Sequence, residues 1–286
     1  MWLLASCALT SELSTDLPPA VVILPVPPAA DALGTVGNDV DGDGLDADEE
    51  ALLDTDPNDA DTDDDRLEDG DEQPLGCNPR VADTDGDSYL DGDEVATGHD
   101  AADASDLIYT LGWPYNPFKD EIADPGPGSV VGVGEVMPAF LGIDRAAEAV
   151  HLYDFAGQGL VFVTFSVGNC VPCDDVAGWP SGSGAYAGLW PDAAAALTSG
   201  DVAWVDVLVL GADLLAAGAT DAAAWDARWP RPGVAVLADP SNLAGPSVGV
   251  NGIYPAAMLL DANMTVIALN PLDWTVAAAA LQATFP

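Results

Sequence analysis

Apolar positions follow two different rhythms along this chain. From about residue 129 onward they gather into continuous runs. Gly159 to Phe165 (GLVFVTF), Val202 to Leu210 (VAWVDVLVL) and Val234 to Ala238 each read as a buried strand, and Ala257 to Leu269 holds two shorter strands about a turn at Asp261-Ala262-Asn263. Thr220 to Trp229 and Asp273 to Ala283 read as helices. Strands alternating with helices predict an α/β sheet covered on both faces. Upstream the pattern changes. Residues 8–37 include LPPAVVILPVPPAADALG, a Pro-punctuated stretch that reads as a semi-extended tether. Residues 38–106 are acidic and poor in large apolar side chains, and 107–128, with WPYNPF and DPGPG, read as a linker rich in turn residues.

Charge sharpens the division. The 286 residues carry a formal net charge of −42, and more than half of the 48 acids lie between Asp39 and Asp106. A segment of that composition does not collapse on its own, so it is either a disordered spacer or a stretch folded by cations. So acidic a surface argues against nucleic acid or anionic lipid as partners. No stretch approaches the ~20 apolar residues of a membrane span.

The spacing of those acids favours cations. Three twelve-residue blocks, DVDGDGLDADEE, DTDDDRLEDGDE and DTDGDSYLDGDE, place carboxylates at their first, third and fifth positions and end in Glu. This is how an oxygen cage for Ca²⁺ is written into a loop, since the ion takes 6–8 oxygen ligands. The first block offers Asp39, Asp41, Asp43, the Leu45 carbonyl and Glu50. The second offers Asp61, Asp63, Asp65, the Leu67 carbonyl and Glu72; the third, Asp83, Asp85, Asp87, the Tyr89 carbonyl and Glu94. Gly44 stands at the sharp turn of the first loop, where the others carry Arg66 and Ser88.

The blocks follow one another too closely for helices on both sides of each loop, and the connecting pieces (LLDTDPNDADTD, ATGHDAADASD) resemble each other. With TDPxxxD joints, residues 38–106 resemble thrombospondin type 3 repeats. That resemblance implies a compact, helix-poor rod wound around several Ca²⁺ ions, serving to fold and stiffen a spacer.

Of the cysteines at 7, 77, 170 and 173, only the last two have a spacing with chemical meaning. Cys170-Val171-Pro172-Cys173 follows the strand LVFVTF after SVGN. A CxxC after a buried strand and at a helix start reads as a redox motif. The helix N-terminus stabilises a thiolate on Cys170, the nucleophile, and Cys173, one turn on, resolves the mixed disulfide. A disulfide kept only for stability is the competing reading. A zinc half-site is disfavoured because no second CxxC or paired His is present. His99 and His151 read as isolated surface residues, and Cys77 has no evident partner.

The stretch VGVNGIYPAAMLLDANMTVIAL resembles the loop and strand of thioredoxins in which a cis-proline faces the active-site sulfurs, and Pro255 matches that proline. GEVMPAFLGIDRAAEAVHLYDFAGQGLVFVTF is similar to the entrance of TlpA-like redoxins, the extracytoplasmic branch of the fold. The resemblance spans about 129–286. It implies a thioredoxin-like α/β domain, a central mixed sheet with helices on both faces, exchanging disulfides with protein thiols of the cell envelope without an organic cofactor. Catalytic residues would be Cys170, Cys173, Pro172 and Pro255, with Tyr254 beside the substrate groove.

Three positions depart from the family. Thr164 replaces a buried acid, Asn169 replaces the Trp before the first Cys, and Gly178-Trp179-Pro180 interrupts the helix after Cys173. Asp174 and Asp175 should also raise a neighbouring thiolate's pKa, with no base close in sequence to offset them. A peroxiredoxin pattern, Pro-x-x-x-Thr/Ser-x-x-Cys, does not fit either cysteine: Val163 and Val167 precede Cys170 at those places, and Ser166 and Cys170 precede Cys173.

Finally, MWLLASC resembles the end of a bacterial lipobox, in which Cys7 would be lipidated, although the apolar run is short and lacks a basic flank. The expected organisation is thus a signal and lipobox over 1–7, a tether over 8–37, calcium repeats over 38–106, a linker over 107–128 and a redoxin domain over 129–286. The whole would be an envelope protein touching the membrane only through its anchor.

Overall fold

The computed structural model describes residues 38–127, 129–242, 244 and 253–285. Cys7 and the 8–37 tether lie outside the described residues.

The apolar runs form one seven-stranded sheet. Its strands are β1 (Leu141–Ile143), β2 (Ala149–His151), β3 (Val161–Val167), β4 (Ala203–Leu210), β5 (Val234–Ala238), β6 (Ala256–Leu260) and β7 (Val266–Leu269), in the order β2-β1-β5-β4-β3-β6-β7. The strand β3 is interior, parallel to β4 and antiparallel to β6, and β4, the middle strand, is parallel to β5. Every residue of β3 is buried, as a continuous apolar run requires. Alternate side chains feed opposite cores: Val161, Val163 and Phe165 on one face, Phe162 on the other.

The Phe162 face is covered by four helices, α4 (Val171–Gly178), α5 (Pro191–Ser199), α6 (Ala219–Arg228) and α7 (Thr275–Gln282), through residues such as Val176, Leu197, Trp225 and Leu281. The opposite core takes in Leu152, Tyr153 and Phe155 from a 3₁₀ turn, together with Ala244. It also takes in Tyr109 and Trp113, from the segment read as a linker. The topology is that of a thioredoxin-like α/β domain. The 107–128 segment is part of its wall as well as a connector.

The repeat segment is less poor in helix than its resemblance implies. Each block runs into a seven-residue helix: α1 (Ala47–Leu53), α2 (Asp69–Leu75) and α3 (Asp91–Thr97). The twelfth-place glutamates, Glu50, Glu72 and Glu94, lie inside these helices and are fully buried. A helical turn after the loop is what folds a long side chain back over it. Each helix closes on a left-handed residue, Asp54, Gly76 or Gly98. The three turning positions Gly44, Arg66 and Ser88 all have positive φ (96°, 78° and 89°), so the second and third loops keep the first loop's path without glycine.

Candidate functional site

The CxxC site is assembled where β3 and β6 meet. Antiparallel pairing sets Phe165 opposite Ala256, so the chain leaving β3 and the chain entering β6 emerge at the same end of the sheet. The first carries Cys170 and the second carries Pro255. Cys170 caps α4, and its Sγ accepts the Cys173 N–H at 3.3 Å. Pro172 falls in the first helical turn, where a missing N–H costs nothing.

Cys170 and Cys173 form a disulfide with Cα atoms 5.2 Å apart. Cys173 is fully buried, whereas Cys170 is half-buried beside the exposed Val171 and Pro172. The Tyr254–Pro255 peptide is cis, and the Tyr254 carbonyl oxygen lies 3.7 Å from Cys170 Sγ. Burial pushes the half-buried Tyr254 hydroxyl's pKa up. Of the four residues named from sequence, Cys170 meets the carbonyl of the residue before Pro255, Cys173 is buried, and Pro172 is exposed in the first turn of α4.

Two charged groups around the site were not legible from sequence. Asp174 does not stand alone: the Arg228 guanidinium, from α6, pairs with its carboxylate at 2.5 Å, and Trp229 Nε1 donates to it at 3.0 Å. Arg228 also donates to the Gly168 carbonyl in the loop leading to Cys170. Asp175 accepts the Ala185 N–H at 2.9 Å, which draws the 182–185 loop back over α4. The helix ends at Gly178, where a Cβ would meet Trp229 at 3.2 Å.

The second group is Asp206, set directly across from Thr164 on β4. Thr164 Oγ1 donates to it at 2.8 Å, as do Ser166 Oγ at 2.8 Å, Trp225 Nε1 at 2.9 Å and Arg231 at 2.7 Å. A buried acid is thus present one strand over from Thr164, already neutralised by a cation. Its sequence signal was a single Asp within VAWVDVLVL.

In the repeats, carboxylate oxygens gather on the spacing read from the sequence. Asp39, Asp41 and Asp43 form one group within 4.8 Å, as do Asp61, Asp63 and Asp65, and Asp83, Asp85 and Asp87. Two further groups join a block to its successor: Asp43 and Glu50 with Asp69, and Asp65 and Glu72 with Asp91. Asp69 and Asp91 were not among the expected ligands. The seventh-place residues Leu45, Leu67 and Tyr89 each donate their backbone N–H to the fifth-place aspartate, at 2.8, 2.7 and 2.9 Å.

These groups fit a hard cation. Both carboxylate oxygens of Glu50, Glu72, Glu94, Asp41 and Asp63 are buried without a hydrogen-bond partner among the described residues. Buried carboxylates without donors are rare unless an ion takes their place. Burial, followed by neighbouring carboxylates, pushes Asp63 up to about 6, Glu94 up to about 8 and Glu72 up to about 9. Every member of the groups is Asp or Glu, the all-oxygen set that suits calcium better than a softer metal.

The remaining candidates stay apart. Cys77 is buried and in no disulfide among the described residues, its thiol pushed up to about 12 by burial and by Asp91. His99 pairs with Asp106 at 3.1 Å, and His151 caps the 3₁₀ turn by accepting the Tyr153 N–H. Both are half-buried rather than free surface side chains.

No family model and no curated protein matches this chain. Solved structures with some likeness include the thioredoxin domain of a thiol-disulfide oxidoreductase from Bacteroides vulgatus (17% identity, 53% of this chain, 99% of that chain, TM-score 0.37). A thiol:disulfide interchange protein from Bacteroides sp. is similar at 16% identity, over 54% of this chain and 90% of that one, with TM-score 0.38. A peroxidoxin from Mycobacterium tuberculosis is similar at 12% identity, over 54% and 97%, with TM-score 0.39. Likenesses of this size carry no argument about activity, which has to come from the site.

Proposed function

We propose that this chain is an extracytoplasmic thiol–disulfide oxidoreductase of thioredoxin/TlpA type, carried on a calcium-stabilised repeat stalk and anchored by lipid at Cys7. The observation that carries the redox reading is the half-buried Cys170 sulfur at the head of α4, facing the Tyr254 carbonyl, with Cys173 buried behind it.

From the oxidised pair, a thiolate of a substrate dithiol attacks Cys170 Sγ. The Cys170–Cys173 bond breaks and its electron pair leaves on Cys173. A second substrate thiolate then attacks the mixed disulfide, releasing Cys170 as a thiolate with the substrate oxidised and the enzyme reduced. The reverse sequence reduces a substrate disulfide, with Cys173 attacking Cys170 Sγ to release it. The Cys173 N–H, 3.3 Å from Cys170 Sγ, favours the charged form of that sulfur. Arg228 offsets the charge of Asp174 nearby.

In the stalk, the three sets named above would hold Ca²⁺, whose charge neutralises carboxylates that otherwise repel. Substrates would be thiols or disulfides of envelope proteins.

Insulin reduction tests the redox step. The wild type should turn over while Cys170→Ser falls to background, and Cys173→Ser should accumulate a mixed disulfide through Cys170. Equal background rates for wild type and Cys170→Ser would leave the domain a non-enzymatic module on a surface lipoprotein.

A further inference from the structure

Asp39, Asp61 and Asp83 open blocks 22 residues apart, and the contacts between blocks repeat on the same period. The ninth residue of the second block, Asp69, joins Asp43 and Glu50 of the first; the ninth of the third, Asp91, joins Asp65 and Glu72 of the second. All six of these carboxylates are buried. The tenth residue is glycine in both cases because the blocks interlock there. A Cβ on Gly70 would come within 2.2 Å of the Asp43 carbonyl oxygen, and one on Gly92 within 2.4 Å of that of Asp65.

Hydrogen bonds inside the repeats leave ligand capacity free. Asp91 Oδ1 accepts the Thr84 N–H at 2.8 Å, while its Oδ2 is buried without a partner. Asp69 accepts from the Thr62 N–H and hydroxyl, one donor per oxygen, so each oxygen keeps a lone pair. Facing them, Glu50 and Glu72 have no donor on either oxygen among the described residues.

The array then decays. One period after Asp83 the chain reads SDLIYTLGWP from Ser105, with Leu111 at the seventh place, Trp113 where Asp69 and Asp91 stand, and Pro114 where the glycines stand. One contact of the repeat survives: Asp100 N donates to Asp106 at 3.0 Å, as Asp56 N does to Thr62 and Asn78 N to Thr84. Trp113 offers no carboxylate. Its carbonyl accepts the Tyr89 hydroxyl at 2.6 Å, and its indole N–H donates to Asp144 of the redoxin domain at 2.8 Å. The third block's group contains only Asp83, Asp85 and Asp87.

We propose that Asp69 and Asp91 are ligands of the preceding block's cation, so that each of the first two ions fastens two consecutive blocks, while the third ion has no such ligand. This rests on the calcium reading above and goes beyond it. Ligands read by spacing within one block would make the three sites independent; ligands lent backward couple them in chain order and leave the third site, next to the redoxin domain, the weakest.

A double-mutant cycle on the full chain, stripped with chelator and titrated with Ca²⁺ by calorimetry, separates these arrangements. Asp91→Asn keeps the oxygen that accepts from Thr84 and removes only the charge. It should weaken the same binding event as Glu72→Gln, by at least about tenfold, the lower end of what even indirect metal partners cost. Added to Glu72→Gln it should weaken nothing further; added to Glu94→Gln it should remove a second, separate event. Limited proteolysis of Asp91→Asn at sub-saturating Ca²⁺ should cut between the second and third blocks, and unchanged near-ultraviolet circular dichroism would show the tryptophan-rich redoxin domain intact. The proposal is overturned if Asp91→Asn is additive with Glu72→Gln and not with Glu94→Gln, or leaves every binding constant in place. A wild type that binds no Ca²⁺ at all overturns the calcium reading itself.

Discussion

Both regions of this molecule bury acids, and they treat them in opposite ways. In the thioredoxin-like domain Asp144 accepts from Trp113 Nε1 and two backbone N–H groups. Asp154 accepts from Tyr109, Asn116 and Lys119, and Asp206 from Thr164, Ser166, Trp225 and Arg231. Asp239 accepts from Ser241 and the Ala244 N–H. In the repeats, Glu50, Glu72 and Glu94 are equally buried and have no donor among the described residues. One region carries its compensation within its own sequence. The other carries only half of each interaction, and on the calcium proposal the rest comes from solution.

The chain has only six Lys and Arg residues to distribute, which explains the contrast. Four of them pair with buried or half-buried aspartates of the thioredoxin-like domain (Lys119 with Asp154, Arg145 with Asp226, Arg228 with Asp174, Arg231 with Asp206). In the repeats, Arg66 pairs with Asp93 and Arg80 with Asp54, neither of which belongs to a carboxylate group among the described residues.

The largest effect expected from this difference is on pH behaviour without calcium. Glu72 and Glu94 have folded pKa values of about 9 and about 8, above the ordinary 4.5. Their contribution to folding is therefore fully present below pH ~4.5 and is lost as pH rises through those values. Chelator-stripped protein followed by far-ultraviolet circular dichroism should lose repeat order between about pH 5 and 9, and saturating Ca²⁺ should abolish that loss. Repeat order that instead grew with pH in chelator would break the comparison.

A smaller but still severe effect is expected in the thioredoxin-like domain. Arg231→Met removes the cation from Asp206 and should cost ~3–5 kcal/mol in chemical denaturation, the usual penalty for stripping one partner from a buried pair. Calcium should not restore it. A variant as stable as wild type would mean that the three remaining donors suffice.

The smallest effect is at the CxxC site. Arg228 is half exposed, so Arg228→Ala should change stability by less than about 1 kcal/mol. It should nevertheless slow insulin reduction by a few-fold, because Asp174 then faces the Cys170 loop unpaired. An unchanged rate would show that the pair only ties α6 to α4.

Continuous apolar runs made β3, β4 and β5 and the β6–β7 hairpin legible, because strands buried on both faces leave a compact signature. The CxxC and Pro255 were legible as motifs on either side of the β3–β6 pairing. Strands β1 and β2 were not, since three residues each carry no period. Tyr109 and Trp113 looked like isolated aromatics among turn residues, and only tertiary contact shows them to be core. Arg228 and Asp206 lie on other elements than the cysteines, and spacing says nothing across such distances. Asp69 and Asp91 were not singled out, because a linear motif read within one block cannot show a carboxylate that gathers with those of the block before it.

Hydrogen exchange of the full chain at neutral pH, with saturating Ca²⁺ and then with excess chelator, puts the contrast to its most direct test. The account predicts that amides across residues 39–97 lose protection on chelation while those of β3, β4 and β6 keep theirs. Unchanged protection across the repeats would contradict it, because the buried glutamates would then be tolerated with no cation beside them.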